Sequence, residues 1–516
     1  MGKTDMDWGS PWWRKLWPVH RHECKKVIPL LLLKFLISVV YSILTCMKDT
    51  LVVTSAHSGA EVIPILKGWL VFPLAILCAI LYAKLLNHFK RSTLFYWIVS
   101  CFLSIVLLYG FVLYPYADSL SPHRSADWLV HKLGSSYSHW IAVYRHWAHS
   151  LFFITAELWA QLVIFTLYWG LANDLFKIQE AKRTYTLFIA AGDLGAIVSA
   201  PLTLYYVNKY LGQGFIFTLQ ALVGYAIACG LCILALYWWM NCYLLRESTS
   251  GYQAQTDVFH QRTKLTLRQS IRHIMRSKYL LAISVLVIGC AITINMVEVT
   301  WKAYLKILHP TPEAYQAFVA KSTLMVGSAA LVTVLLFGGH SLRIFGWHVT
   351  AQVTPIVIGV TGVAFFILCI YEGTSLAIWL KITPLVLIVF VGAFQNIISK
   401  VVKYSFFDST KEMAYIPLDQ ESKHKGKAAI DMVGSRLGKS GSSLIQIVSM
   451  QLVGTGSIIL VTPILLPTLI VIAGGWIYSV AYLNRAIKEK DLEREKQLAA
   501  ALQEEMALQK QPLQQV

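Results

Sequence analysis

Twelve predominantly apolar stretches punctuate the chain, near 27–46, 63–86, 94–113, 147–175, 185–207, 215–244, 279–305, 318–338, 349–371, 377–402, 428–452 and 457–483. Each approaches or exceeds the ~20 residues that carry a helix across ~30 Å of hydrocarbon. Lipid offers the backbone no hydrogen-bond partner, so runs of this kind are predicted to be α-helices. A transmembrane barrel would show short segments of alternating polarity instead. A polar, basic stretch from Arg246 to Lys278 separates the sixth run from the seventh. The pattern divides the chain into an N-terminus over 1–26, a six-helix bundle over 27–245 and a linker over 246–278. A second six-helix bundle over 279–483 and a tail helix over 484–516 complete it.

The fold class expected is an all-α polytopic membrane protein with about 12 transmembrane helices, in a 6+6, major-facilitator-like arrangement. Basic residues orient it. Lys84, Lys90 and Arg91 follow the second run, and Lys177, Lys182 and Arg183 follow the fourth. Arg262, Lys264, Arg268, Arg272, Arg276 and Lys278 fill the linker, and Lys403, Lys411, Lys423, Lys425 and Lys427 lie after the tenth run. All share one side if the two ends do. Arg124, Lys132 and Arg145 fall on the other side, in a long His-rich loop of lower basic density. The positive-inside rule therefore predicts N-in and C-in, with cytoplasmic termini and linker. An internal comparison points to duplication. Trp169-Gly170-Leu171-Ala172-Asn173 with Lys177 parallels Gly392-Ala393-Phe394-Gln395-Asn396 with Lys400, and Asp193-Leu194-Gly195 parallels Arg436-Leu437-Gly438.

Composition agrees with a lipid-embedded chain. Of 516 residues 56% are hydrophobic and 14% charged, and the mean hydropathy is +0.57; soluble domains carry roughly a quarter charged residues. The net charge of +18 mostly follows from the orientation bias, and the basic residues flank apolar runs rather than forming a soluble domain, so no nucleic-acid partner is expected. The nine cysteines show no metal-ligand spacing, and Cys229-Gly230-Leu231-Cys232 lies inside a run, where packing is the plainer reading. No metal or cofactor is expected. Arg14 to Lys26 is basic but no small-residue cleavage site follows before Lys48-Asp49, so the first span is expected to be retained. The tail from Asn484, rich in Glu, Lys, Gln, Ala and Leu, reads as an exposed or amphipathic helix with no obligate protein partner evident.

Ionisable residues within the runs carry the functional information, because each costs ~3 kcal/mol at mid-bilayer. Lys48 ends the first run; an interfacial lysine reaching back to water is its bland alternative. Glu157 lies about ten residues into the fourth span, where a glutamate needs a buried partner. Asn295, Glu298 and Lys302 recur at i, i+3 and i+7, one helix face. Arg436 and Lys439 share a face of the eleventh span with no carboxylate beside them. Gly434-Ser435-Arg436-Leu437-Gly438-Lys439-Ser440 imitates a P-loop, but only three residues separate its glycines and no strand precedes it. Close helix packing is the better reading of Gly434, Gly438 and Gly441. Cations in both halves facing carboxylates suit a phosphorylated metabolite, with Lys and Arg as charge-assisted donors. Trp159, Trp169 and Trp301 could stack on a base, against the commoner role of lipid or core packing.

These residues resemble the nucleotide transporters, or ATP:ADP translocases, of obligate intracellular bacteria (chlamydia- and rickettsia-type) and plastids. The resemblance runs from Trp17-Pro18 to the twelfth span. It is carried by Lys48-Asp49-Thr50-Leu51-Val52-Val53, by Gly59-Ala60-Glu61-Val62-Ile63-Pro64 with Lys67, and by Glu157-Leu158-Trp159. Tyr168 to Asn173, Val297-Glu298-Val299-Thr300-Trp301-Lys302, Ser409 to Leu418, Lys425-Gly426-Lys427-Ala428-Ala429 and Gly438-Lys439-Ser440-Gly441 extend it. It implies nucleotide transport by exchange, in many members import of ATP for ADP. It also implies a bacterial inner membrane or a plastid inner envelope as the location. The family's transport-critical lysines and glutamates fall on Lys48, Glu157, Glu298 and Lys439. Thr45-Cys46-Met47 replaces the Arg-Asp-Thr that precedes this lysine in ATP/ADP exchangers. Some members differing there carry other nucleotides or couple to protons. The expectation is nonetheless an ATP/ADP exchanger in which Lys48, Lys439, Arg436 and Lys302 bind phosphates. Glu157, Glu298 and Asn295 serve coupling or base recognition. A proton-coupled nucleoside triphosphate importer or an NAD/ADP antiporter is the alternative within the family. A membrane enzyme would need a nucleophile–base or metal constellation, and none has credible spacing. A channel fits charges of both signs poorly.

Overall fold

The computed structural model describes residues 17, 19–21, 23–176, 178–245, 277–337, 340–372, 374–418, 430 and 434–510. Most of the basic linker and the Lys425–Ala429 motif lie outside them. Every regular element among the described residues is helical. In chain order these are α1 (Cys24–Thr54), α2 (Val62–Leu85), α3 (Arg91–Leu113), the short α4 (His123–Leu133) and α5 (Ser138–Arg145), then α6 (Trp147–Leu175), α7 (Ile178–Lys209) and α8 (Phe215–Tyr243). After the linker come α9 (Lys278–Leu308), α10 (Pro312–Phe337), α11 (Gly346–Ile370), α12 (Pro384–Ala414), α13 (Ser435–Val453) and α14 (Thr462–Lys510).

Among the described residues, ten helices are long and apolar enough to cross a membrane. The other two expected runs, 318–338 and 428–452, take shape as α10 and α13. Those two helices are the polar ones: α10 carries Glu313 and Lys321, and α13 carries Arg436, Lys439, Gln446 and a series of serines. Large apolar side chains such as Leu77, Trp97, Phe165, Val360 and Tyr478 face outward, as lipid contact requires.

Three boundaries differ from the sequence reading. The first helix continues past 46 to Thr54, so Lys48 lies inside it and is buried rather than reaching for water. The tenth run, read as 377–402, is broken: Thr374–Leu380 is a separate short helix, Lys381 has a positive φ of 55°, and α12 starts at Pro384. Proline without an N–H suits a helix start and disfavours helix in the residue before it. The helix then runs on through a π-helical turn, Lys403–Phe407, to Ala414, so Lys403 and Lys411 sit on a helix and not in a loop. The tail is not a separate element either, since one helix covers Thr462–Lys510.

Helix α1 is the centre of the first half, packed by α7, α8 and α6; α9 holds the same place in the second, packed by α13, α14 and α12. The halves meet where α10 packs against α7 and α1, where α13 packs against α2, and where α1 approaches α9. The equivalence shows in detail at two glycines. A Cβ on Gly195 would lie 2.9 Å from the Phe35 carbonyl oxygen and 2.8 Å from Ser38 Cβ of α1. One on Gly438 would lie 2.9 Å from the Ile288 carbonyl oxygen and 2.5 Å from Ala291 Cβ of α9. Absence of a side chain lets each pair of backbones meet. These glycines end the tripeptides that the internal sequence comparison aligned.

Candidate functional site

Toward their C-terminal ends α1 and α9 face each other, and the charged residues of both meet there. Lys48 Nζ lies 3.0 Å from Glu157 Oε1 of α6 and 3.0 Å from Asp49 Oδ1. The other Asp49 oxygen lies 2.8 Å from Lys302 Nζ, across the boundary between halves. Lys302 also holds Glu298 Oε1 at 3.1 Å, one helical turn away, and Lys400 Nζ of α12 approaches the same oxygen at 3.6 Å. The result is an alternating chain, Glu157–Lys48–Asp49–Lys302–Glu298–Lys400. A second bridge runs beside it: Lys67 Nζ, in the π-helical turn Leu66–Val71 of α2, donates to Asn295 Oδ1 at 2.8 Å. Low-dielectric surroundings make such charges tolerable only as neutralised, hydrogen-bonded sets.

Exposure grades along the chain. The Lys48 and Lys302 side chains are 3% exposed, Glu157 16%, Glu298 18% and Lys400 30%. Lys439 is exposed and Arg436 half-buried, although α13 is packed against both halves. At the opposite end the halves are tied together. Lys306 Nζ donates to the Ser58 carbonyl, the Ile458 N–H donates to Glu61 Oε1 at 3.2 Å, and Ser136 Oγ donates to the Gly454 carbonyl at 3.0 Å. The loop helices α4 and α5 cover this end, where His146 bonds the Ala56 carbonyl at 2.7 Å. The charged chain is therefore closed off by these contacts at the α4–α5 end, and exposure rises away from Lys48 and Lys302 toward Lys400 and Lys439.

The structure brings Lys48, Glu157, Asn295, Glu298 and Lys302 into one network; Arg436 and Lys439 stand on its more exposed side. Lys48 also lies 4.2 Å from the centre of the Phe153 ring. Polar capacity is left unfilled: Asn295 Nδ2 and the Tyr315 hydroxyl are buried with no partner among the described residues. Buried polar atoms of this kind ordinarily find one, and a polar guest would supply it. The two tryptophans sit differently. Trp159 is fully buried, donates from Nε1 to the Ile37 carbonyl at 3.4 Å and meets Phe102 edge-on. Trp301 donates to the Val389 carbonyl at 3.0 Å and occupies the space left by Gly392, whose Cβ would lie 2.4 Å from its ring. Both indoles brace the helices that carry Glu157 and Lys302. Cys229 and Cys232 are free thiols within α8.

Asp49, Lys67 and Lys400 were not among the site residues expected from the sequence. Asp49 and Lys67 stood in quoted motifs and Lys400 in the internal repeat. Ending the first run at 46 hid Asp49, since it then counted as a residue beyond the span.

The family model described as TLC ATP/ADP transporter matches residues 3–487. "ADP,ATP carrier protein 1" of Chlamydia muridarum is 42% identical over 493 residues, 94% of this chain and 93% of that one. "ADP,ATP carrier protein 1, chloroplastic" of Arabidopsis thaliana is 39% identical over 95% of this chain and 78% of its own length. Among solved structures, a bacterial homologue of the iron transporter ferroportin in an inward-facing state superposes with a TM-score of 0.59 at 14% identity, covering 88% of this chain and 98% of that one. That likeness concerns the fold, which is transporter-like. From this match over nearly its whole length, the chain belongs to the TLC ATP/ADP transporter family.

Proposed function

We propose that the protein exchanges ATP for ADP across a membrane by alternating access, with the nucleotide phosphates bound between the halves. The chain of buried lysines and carboxylates that joins α1 to α9 carries this reading, because it offers lysines from both halves to one anionic guest. The carrier names of relatives from Chlamydia and plastids support the same substrate pair and leave the proton-coupled and NAD alternatives without favour. Lys48 and Lys302 would grip the deepest phosphate, Arg436 and Lys439 would receive the nucleotide on the more exposed side, and Glu157, Glu298 and Asn295 would balance the lysines or read base and ribose. The topology proposed is twelve spans in two bundles, 27–245 and 279–483, with α10 and α13 as the polar members and both termini cytoplasmic. The more exposed side then faces the cytoplasm. A bacterial inner membrane is the proposed location.

Uptake of labelled ADP into cells expressing the protein tests this. Uptake should require preloaded ATP or ADP and persist with a protonophore; uptake independent of internal nucleotide would refute exchange. Lys439 should separate binding from stability. Its ammonium is exposed, so Lys439→Ala should leave insertion and thermal stability unchanged while raising the KM for ADP about tenfold, the loss expected for one charged hydrogen bond. Charge also selects the ionic form of the substrate. Among the described residues, Lys48, Lys67, Lys302, Lys400, Arg436 and Lys439 stand around the three carboxylates Asp49, Glu157 and Glu298, leaving excess positive charge at the site. The free nucleotide fits that excess better than its magnesium complex, so magnesium in excess of nucleotide should slow uptake and a chelator should restore it.

A further inference from the structure

Asp49 is placed differently from the other two carboxylates of the network. Glu157 pairs with a lysine of its own half, and Glu298 pairs with Lys302 and Lys400 of its own half. Asp49 alone of the three reaches both halves, with one oxygen 3.0 Å from Lys48 and the other 2.8 Å from Lys302. Its side chain is 4% exposed, on the side of the network nearer the closed end. A carboxylate gripped through both oxygens by two ammonium groups has the geometry of a phosphate gripped the same way.

We propose that Asp49 is an internal stand-in for the substrate's phosphate, a strut that holds the two halves together at the closed end while the site is empty. The inference rests on the phosphate-binding reading of Lys48 and Lys302 given above. A nucleotide phosphate competes with Asp49 for the same two donors. When it wins, Lys302 is released from α1 and the link between α1 and α9 now runs through the cargo. Among the described residues the other hydrogen bonds at that end, a lysine on the Ser58 carbonyl, the Glu61 bond and the Ser136 bond, each lack a second charge, while Lys67 on Asn295 joins the halves farther along α9. The halves can then part on that side. With no cargo the strut holds the carrier closed at this end, and the empty carrier cannot reopen there. Uptake tied to release of internal nucleotide follows from one carboxylate whose preferred ligands are also the substrate's.

Two measurements test the strut. In Asp49→Asn carriers, uptake of external labelled ADP into cells emptied of nucleotide should rise about ten- to hundredfold, as expected when a charged bond is removed from one side of a two-state equilibrium. Uptake that remains wholly dependent on internal nucleotide would overturn the proposal and leave the ATP/ADP reading intact. The second measurement keeps Asp49. In detergent-solubilised Ser136→Cys carriers, where both ends are accessible to ligand, labelling by a hydrophilic maleimide, read against the parent, should accelerate on adding ATP and also on adding inorganic pyrophosphate, which carries the competing phosphates alone. Acceleration by ATP but not by millimolar pyrophosphate overturns the strut. Indifference to both overturns the nucleotide reading itself.

Discussion

Carriers with Lys302→Met are expected to lose exchange by at least about a hundredfold per inserted molecule and to accumulate in the membrane at reduced levels. Lys302 neutralises Asp49 and Glu298 at once, at 2.8 and 3.1 Å. Its removal leaves Asp49 to Lys48 and Glu298 to the longer 3.6 Å contact with Lys400. Stripping one partner from a buried ion pair costs about 3–5 kcal/mol, because the orphaned charge stays in a medium that solvates it poorly. The transport defect and the stability defect can be separated. Glu298→Gln added to Lys302→Met removes one orphaned carboxylate and should recover part of the insertion and thermal stability. It should not recover exchange, since the phosphate donor is still missing. Labelled ADP uptake into ATP-loaded cells, normalised to carrier in the membrane, reads the first quantity; thermal aggregation in detergent reads the second. A Lys302→Met carrier that inserts fully and exchanges at the parent rate would contradict the placement of this lysine in the site.

Much of this site could be read in the sequence, because charge inside an apolar run is expensive wherever it occurs. That cost singles out Lys48, Glu157, Glu298 and Lys302, which meet in the fold, and also Arg436 and Lys439, which stand outside their chain of contacts. The helix-face argument for Asn295, Glu298 and Lys302 placed three groups on one stripe, and in the fold all three reach the network with α1 and α2. What could not be read was which cation meets which carboxylate. Those pairings join residues as far apart as Asp49 and Lys302, and depend on how α1 and α9 cross, which periodicity within one helix does not encode. The same gap explains Lys67. A lysine just after Pro64 looks interfacial in sequence, yet tertiary contact with Asn295 takes it out of water. Aromatic roles were equally illegible. Trp159 and Trp301 lie beside functional residues in sequence, but each indole N–H is committed to a backbone carbonyl of a neighbouring helix. Helix ends suffered where a polar residue lies inside a span: Lys48-Asp49 made α1 look complete a turn or more before Thr54.

The second large effect expected is Gly438→Val, which should reduce both folded yield and exchange severely without touching a charge. The position has no give. A single Cβ there would meet the Ile288 carbonyl oxygen at 2.9 Å, the Ile288 Cα at 3.3 Å and the Ala291 Cβ at 2.5 Å, so backbone and not a flexible side chain blocks it. Overpacking of this kind costs about 1–3 kcal/mol even where neighbours can adjust. Here relief requires α13 to move away from α9, carrying Arg436 and Lys439 away from Glu298 and Lys302. Gly438→Ala should therefore already be harmful, with Val worse. Gly474→Ala is the matched control: it lies exposed on α14 with nothing within 4 Å of an added Cβ, and alanine favours helix over glycine there. Gly195→Val should behave like Gly438→Val, since its Cβ would meet the Phe35 carbonyl oxygen at 2.9 Å and the Val39 nitrogen at 3.0 Å. Fluorescence-detected gel filtration of detergent extracts at rising temperature would rank the four variants. If Gly438→Val and Gly474→Ala proved equally stable, the close approach of α13 to α9 would not be what sets the geometry of the cationic site. If Gly438→Val lowered stability while Gly195→Val did not, the two halves would differ in how their first and fifth spans carry load, and the likeness between Gly195 and Gly438 would be one of sequence rather than of mechanics.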